Sequence, residues 1–251
     1  AFGGKASHYG AFPHMTDDMG ASHGTPCQEG NTCDPGYVCK NTSDGPACQI
    51  TVPVPKAFGI PLSHYRNHME ENGLDPMVKA MMADAGFQSD PVIRKSKLEA
   101  LQEAIKTAPL NETFLAAVFD KMLTDFPGVR LRFRSSTNAE DLDGFTGAGL
   151  YTSKSGDLND PSKPVADAIR AVWASIWNYK AYQEREYRSI DHNAVGMALL
   201  VHRSFQDEEA NGVALTGNIF DTSGLEPGFY INVQEGEDSV VIPEGGHTTD
   251  Q

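Results

Sequence analysis

Three consecutive residues, Arg134-Ser135-Ser136, carry the strongest chemical signal in this 251-residue chain. A guanidinium offers a planar fork of donors that suits phosphate oxygens, and two hydroxyls beside it, with backbone N–H groups, can complete a cradle. Acids follow at once, so a structural reading stands beside this one: Arg134 pairs with Glu140, Asp141 or Asp143 in a turn. A second basic position, Lys5 in Gly3-Gly4-Lys5, adds a mobile positive charge behind glycines that let backbone approach a ligand. It is not a Walker loop, and on its own it reads equally as a frayed N-terminus with a solvated lysine.

The four cysteines, Cys27, Cys33, Cys39 and Cys48, lie in one stretch with the spacing C-x5-C-x5-C-x8-C. The tight pairs of a structural zinc site are missing. Residues 25–50 are rich in Gly, Asn, Asp, Thr and Pro and cannot build a core, so two disulfides are expected, with three pairings open. Disulfides place the chain in an extracytoplasmic or secreted setting. His64 and His68 stand four apart on a predicted helix, a spacing that can bind zinc, but no third ligand is evident and a solvated face is expected. His8, His14, Asp17, Asp18 and His23 read as a polar loop. Asn41-Thr42-Ser43 and Asn111-Glu112-Thr113 are glycosylation sequons, the second doubling as a helix cap.

The elements that must position these groups follow from periodicity and punctuation. A short helix is expected after Gly4, loop and Cys-rich module over 13–50, and a stiff Val52-Pro53-Val54-Pro55 linker. A short strand follows at 57–60. Ser63 is expected to cap a helix to about Asn72, with Gly73 as its stop; Asp75-Pro76 and Asp90-Pro91 each read as a cap and first turn. Leu98, Leu101 and Ile105 share a helix face, and Asn111 caps a further helix. Residues 129–134 alternate strictly, Leu131 and Phe133 one way and Arg130, Arg132 and Arg134 the other, which makes a strand with one buried face. A polar loop is expected over 135–149 and one long helix over 164–187, with Val165, Ile169, Val172, Trp173, Ile176 and Trp177 as its apolar stripe. Strands are expected at 195–203, 212–220, 229–234 and 238–242, and residues 243–251 form a tail. Helices followed by strands give an α+β class.

The net charge of −14, from 20 basic and 34 acidic residues, argues against nonspecific nucleic-acid binding and against anionic membranes. It leaves room for a small phosphate pocket. No apolar run is long enough to span a bilayer. The start at Ala1 rather than Met is read as processing or a fragment.

These pieces stand in the order found in the N-terminal nucleotide-binding domain of phosphoenolpyruvate synthase and pyruvate phosphate dikinase. The resemblance rests on Gly3-Gly4-Lys5-Ala6-Ser7, Val54-Pro55 before Phe58, and Arg134-Ser135-Ser136-Thr137-Asn138-Ala139-Glu140-Asp141-Leu142. It continues through Val172-Trp173-Ala174-Ser175-Ile176-Trp177, Lys180-Ala181, Arg185, Asp191-His192 and the strand after Gly196, and Asn211-Gly212-Val213-Ala214-Leu215-Thr216 resembles the family's S-G-V-x-F-T strand. It covers residues 1–12 and 52–242, with residues 13–51 as an inserted loop and Cys-rich module. It implies a truncated ATP-grasp-like, two-lobed nucleotide-binding fold with a small disulfide-rich insertion. It also implies ATP and Mg2+ as cofactors, and phosphate contacts from Lys5, Arg134, Ser135 and Arg185. Glu237, in Gly236-Glu237, resembles the acid of the family's G-L-G-E motif; a solvated hairpin acid is its plain alternative, as a solvated helix position is for Arg185. His202 stands where the family usually has Gln, and Ala148 and Leu150 where polar residues are common. The family's D-I-E-W, Q-x-R-P and phosphohistidine segments have no counterpart, so no catalytic residue is assigned. The expected function is the ATP- or phosphate-binding portion of a phosphoenolpyruvate synthase-like phosphotransferase. The alternative is an exported, inactive relative acting in binding or assembly, with self-association or a partner chain.

Overall fold

The computed structural model describes residues 2, 5–7, 9, 26–28, 30, 32–33, 37–42, 45–50, 54–139, 141–142, 145–146, 149–206, 208–215, 217–221, 223, 226 and 228–236. The chain divides into two units, residues 1–203 and 204–251.

The first unit is built on a four-stranded antiparallel sheet. Its strands are β3 (Ala57–Ile60), β4 (Leu131–Thr137), β7 (Lys154–Gly156) and β8 (Met197–Arg203), in the order β3-β8-β4-β7. The longest pairing joins β4 to β8 over seven residues, from Leu131 opposite Arg203 to Thr137 opposite Met197. Side chains alternate across a strand. Leu131, Phe133, Met197, Leu199 and Val201 therefore face one way, and all five are inaccessible to solvent. They meet a helical layer made of α1 (Leu62–Glu71), α2 (Leu74–Ala83), α3 (Ala85–Ser89), α4 (Pro91–Thr107), α5 (Glu112–Asp125), α6 (Val165–Ala174) and α7 (Tyr179–Tyr187). Trp173 on α6 lies fully buried among the rings of Tyr65, His68 and Phe114.

Helix ends follow local chemistry, with some differences from expectation. Asp90 caps α4, its carboxylate accepting from the N–H groups of Val92 and Ile93, with Pro91 in the first turn; Asn111 caps α5, accepting from Phe114 N–H at 3.1 Å. Ser63 does not cap α1, which begins after Pro61 with no side-chain cap. Asp75 does not cap α2 either. The helix starts two residues earlier than expected, at Leu74 after Gly73, whose φ of 64° ends α1 at little steric cost and leaves Asp75 in the first turn of the helix, where its charge suits the dipole. The expected long helix over 164–187 is two helices. The chain tightens into a 3-10 turn at Ser175–Trp177, where the Ser175 hydroxyl donates to the Val172 carbonyl at 2.7 Å.

Two short hairpins precede the sheet or interrupt it. β1 (Tyr37–Thr42) pairs with β2 (Gly45–Ile50), and β5 (Asp141–Leu142) pairs with β6 (Phe145–Thr146) inside the segment expected to be loop. The first hairpin carries disulfides Cys27–Cys39 and Cys33–Cys48. The sulfurs of Cys27, Cys33 and Cys48 lie within 4.8 Å of one another, but all four cysteines are paired, so none is a thiolate ligand.

The second unit contains a hairpin of β9 (Ala210–Leu215) and β10 (Tyr230–Glu235). β9 ends at Leu215, short of the expected Phe220, and the strand expected at 238–242 lies outside the described residues. No helix among the described residues is long and apolar enough to cross a membrane.

Two outcomes test this packing. A methyl group at Gly156 would stand 2.9 Å from the Phe133 ring and 3.1 Å from the Val165 backbone. Gly156→Ala should therefore destabilise the protein by about 1–3 kcal/mol in denaturant titration; an unchanged midpoint would contradict the close approach of β7 to α6. Alkylation without reductant should label no cysteine, and labelling of all four should require prior reduction.

Candidate functional site

β4 and β8 present a second face, away from the helices, made of Arg132, Arg134, Ser136, Ala198, Leu200 and His202. The register places Arg132 opposite His202, Arg134 opposite Leu200 and Ser136 opposite Ala198. Arg132 is half-buried and donates from Nη1 to the Ser155 hydroxyl at 3.3 Å. Arg134 is exposed and makes no hydrogen bond or ion pair with any described residue. Glu140 and Asp143, two of its proposed turn partners, and the side chain of Asp141 lie outside the described residues. Arg130 is already engaged, paired with Asp157 at 3.5 Å and Asp160 at 3.4 Å.

The strand continues past Arg134. Ser135, Ser136 and Thr137, expected to open a loop, are strand residues and are buried. Their hydroxyls are satisfied by the N-terminal segment and by the turn. Ser136 Oγ donates to the Phe2 carbonyl at 2.8 Å and accepts from Ala6 N–H at 2.9 Å, and Lys5 Nζ donates to Ser135 Oγ at 3.5 Å. Thr137 Oγ1 accepts from Ala139 N–H at 2.8 Å. Lys5, Ala6, Ser7 and Tyr9 have helical backbone, and Gly3 and Gly4 lie outside the described residues. The Phe2 ring packs on Gly59, where a Cβ would stand only 2.8 Å from it. Tyr9 donates to the Pro55 carbonyl and lies parallel to the His202 ring, centroids 6.4 Å apart.

Lys5 thus reaches Ser135 at the strand end, next in sequence to Arg134, whose side chain lies on the opposite face from Ser135, in line with Arg132 and His202. His202 is buried and its Nδ1 lies 2.7 Å from the Arg203 carbonyl, which makes Nδ1 the protonated nitrogen. Burial first, then the Arg134 and Arg132 charges, hold this imidazole below its ordinary pKa and hence neutral. Burial also pushes the Tyr9 hydroxyl up, partly offset by Arg134. An exposed guanidinium, and an ammonium beside a hydroxyl, are each groups able to contact an anion's acceptor oxygens.

Sequence reasoning did not single out two parts of this site. Tyr9 carried no motif signal; its role appears only once the N-terminal segment lies across β8. Asn138 clasps the strand ends, its Nδ2 donating to the Ala194 carbonyl and its Oδ1 accepting from Gly196 N–H, both at 2.9 Å. A polar residue directly after a buried strand was the signal available for it.

Arg185 sits elsewhere. It is 1% exposed, so it is no solvated helix position. Its Nε donates to His192 Nδ1 at 3.1 Å, its guanidinium carbon lies 5.8 Å from the Trp177 ring centroid, and its Nη1 has no partner among the described residues. His192 in turn lies 3.0 Å from the Glu186 carboxylate and stacks on Tyr182 at 4.3 Å. Burial pulls the Arg185 pKa below its ordinary value, against a raising influence from Tyr151.

The remaining candidates separate cleanly. Glu237 lies outside the described residues, as do His8, His14, Asp17, Asp18 and His23. His64 and His68 do not form a solvated face. His68 is 3% exposed, with Nε2 3.2 Å from the Ile105 carbonyl and Nδ1 beside the Asn72 carboxamide; His64 stacks on Phe114 at 4.4 Å. Among the described residues no histidine joins a cluster of three metal-ligating side chains. Asn111 is engaged as a cap and also donates to Glu71.

Burial is the largest cause lowering the pKa of His64, His68, His192 and His202. Unfolded histidines take up protons near pH ~6.5, while these folded ones resist until lower pH. The unfolded state therefore binds more protons in that window, so stability is fully present above it and is lost as pH falls through it. The melting temperature should fall between about pH 7 and pH 5; a flat or rising profile would show that these rings are not held neutral.

A family model for the pyruvate phosphate dikinase AMP/ATP-binding domain matches residues 39–245. Phosphoenolpyruvate synthase of Aeropyrum pernix is 25% identical over 180 residues, covering 68% of this chain and 21% of that protein. A probable phosphoenolpyruvate synthase of Methanothermobacter thermautotrophicus is 27% identical over 183 residues, covering 70% and 26%. The Neisseria meningitidis phosphoenolpyruvate synthase is 28% identical over 171 residues, covering 66% and 21%. The chain spans about a fifth to a quarter of the length of these relatives. The match takes in β4, α6, α7 and β8, the elements that hold Arg134 and bury Arg185. The chain belongs to the pyruvate phosphate dikinase AMP/ATP-binding domain family.

Proposed function

We propose that this chain binds ATP, with the phosphates held at the end of β4 by Arg134, Lys5 and Ser135. It would act as the nucleotide-binding portion of a phosphoenolpyruvate synthase-like phosphotransferase with an ATP-grasp fold. The single observation that carries the reading is Arg134: an exposed guanidinium with no described partner, one residue before a buried hydroxyl that an ammonium contacts, in a chain of net charge −14. Such a cation has its fork of donors available for phosphate oxygens. Family membership supplies the nucleotide as the ligand class.

The residues on hand fit the triphosphate and do not fit a divalent cation. The described side chains at the strand end are cations and hydroxyls, whereas Mg2+ takes carboxylates, water and phosphate oxygens. Mg2+ would therefore arrive on the nucleotide's own phosphates, and no step is assigned to it here. The resemblance that includes Arg185 among phosphate contacts meets a guanidinium buried beside His192 and Trp177, so the proposal rests on the exposed Arg134 and the half-buried Lys5 instead. The role of the chain's own groups is to bind and orient: Arg134 forks onto phosphate oxygens, Lys5 adds charge, and Ser135 donates or accepts as the ligand requires. The two disulfides support an oxidising compartment as the setting.

Calorimetric titration with ATP and Mg2+ tests the site. Arg134→Ala should weaken binding about thirtyfold, equivalent to about 2 kcal/mol. Arg134→Lys should recover only part of this, because an ammonium cannot reproduce the fork. Arg130→Ala should leave affinity unchanged while lowering the melting temperature, since Arg130 pairs with Asp157 and Asp160. No binding to the wild type at millimolar ATP, or equal loss in Arg130→Ala, would overturn the assignment.

A further inference from the structure

A cavity of about 480 Å3 opens on the helical side of β3, between α1 and α5. It is separate from the Arg134 cluster: Phe58 and Ile60 face the helical side of the edge strand, while Phe2 packs on Gly59 from the other. Its volume lies within the usual range for small-molecule sites. One wall is a row of rings, with Phe114 between His64 at 4.4 Å and Trp173 at 5.7 Å, interplanar angles 25° and 22°. Such a row presents a flat surface of ring edges and faces on which another ring packs well.

The polar groups around it fall into two sets. Most are used within the protein: His68 contacts the Ile105 carbonyl and Asn72, Glu71 accepts from Asn111, and Lys121 pairs with Asp125. Besides the exposed Thr113 hydroxyl on α5, two lining groups make no side-chain hydrogen bond with any described residue, the His64 imidazole and the Asn67 carboxamide. They stand three apart on α1 and so share a helix face. Burial holds the His64 ring below its ordinary pKa and therefore uncharged. The cavity thus offers flat apolar walls, one neutral imidazole and one amide, and both of its charged neighbours, Glu71 and Lys121, already have partners.

We propose that this cavity is a second binding site, taking a flat, uncharged aromatic molecule with a hydrogen-bonding edge. The ring packs along the Phe114 row, and the polar edge meets Asn67 and His64. A charged ligand is disfavoured because no unpaired countercharge lines the walls. An aromatic without a polar edge gains no hydrogen bond from either group. The site stands independently of the nucleotide reading.

Benzamide, with toluene as the edge-less control, tests the proposal on the full chain. Backbone amide shifts in nuclear magnetic resonance spectra locate the site, with α1 and α5 expected to respond. Benzamide should bind with a dissociation constant on the order of 1 mM, and toluene about tenfold more weakly. Ala117 is exposed and lines the cavity, so Ala117→Trp should fill it without disturbing the core and abolish the shifts. Asn67→Ala should weaken benzamide about fivefold and leave toluene unchanged, a split that simple unfolding would not produce. Absence of shifts at α1 and α5, unchanged binding in Ala117→Trp, or toluene binding as tightly as benzamide would each overturn it. Loss of ATP binding in Arg134→Ala with benzamide shifts intact would confirm that the two sites fail separately.

Discussion

Strand β8 is buried on both faces, and much of the first unit follows from that. Met197, Leu199 and Val201 go against the helices. Ala198, Leu200 and His202 face the other way and are also nearly inaccessible. A strand in this position needs two covers. The helical layer is one. On the other side the described N-terminal residues pack on the sheet, with Phe2 on Gly59 and Tyr9 over His202. Ser136 sits beneath that cover, and a buried hydroxyl left unmatched would cost about 1–3 kcal/mol. It is matched on both counts, donating to Phe2 and accepting from Ala6. The same two bonds carry Lys5 to the end of β4. The cation cluster is therefore a by-product of covering a sheet face, and its position is as well determined as that packing.

How much of this was legible depended on whether a signal was local. The alternation of Leu131, Phe133 and the arginines is a local pattern, and it assigned the faces of β4 correctly. The strand's end did not read correctly, because Ser135, Ser136 and Thr137 look like loop until the N-terminal segment, some 130 positions away in sequence, supplies their partners. The break at Ser175–Trp177 was hidden for a different reason. Val172, Trp173, Ile176 and Trp177 all bury against the core on either side of it, so the apolar stripe runs through the break without interruption. Cysteine clustering indicated a stapled module, while the pairing of Cys27 with Cys39 needed coordinates. Arg185 was least legible. Its helix, with the sequence YKAYQEREY, is nearly all polar, and its cage of Trp177, Tyr182 and His192 includes rings from outside it.

The contrast between Arg185 and Arg134 shows what burial does to a cation. Arg185 is withdrawn from water without a carboxylate in direct contact among the described residues, and its charge is compensated by ring faces, by His192 and, one step further, by Glu186. Burying a charge is tolerable only with such company. It ties the last turn of α7 to Trp177 and His192 and has little left to offer a ligand. Arg134 keeps its hydration and its reach.

The chain's −14 charge bears on how such a site works. Taken as a whole, the molecule repels an anion at long range. That repulsion is screened over about 8 Å at physiological ionic strength. Inside that distance the nearest charges decide, and among the described side chains at the end of β4 these are Lys5 and Arg134, with Arg132 behind them. His202 is neutral and adds no charge of its own, and Arg130 is paired with Asp157 and Asp160, so the local field rests on Lys5, Arg134 and Arg132. An acidic surface combined with a short-range cation cluster favours compact anions able to accept a guanidinium fork over extended polyanions, which must lie along the acidic surface as well. That preference is the one the proposed nucleotide phosphate site requires.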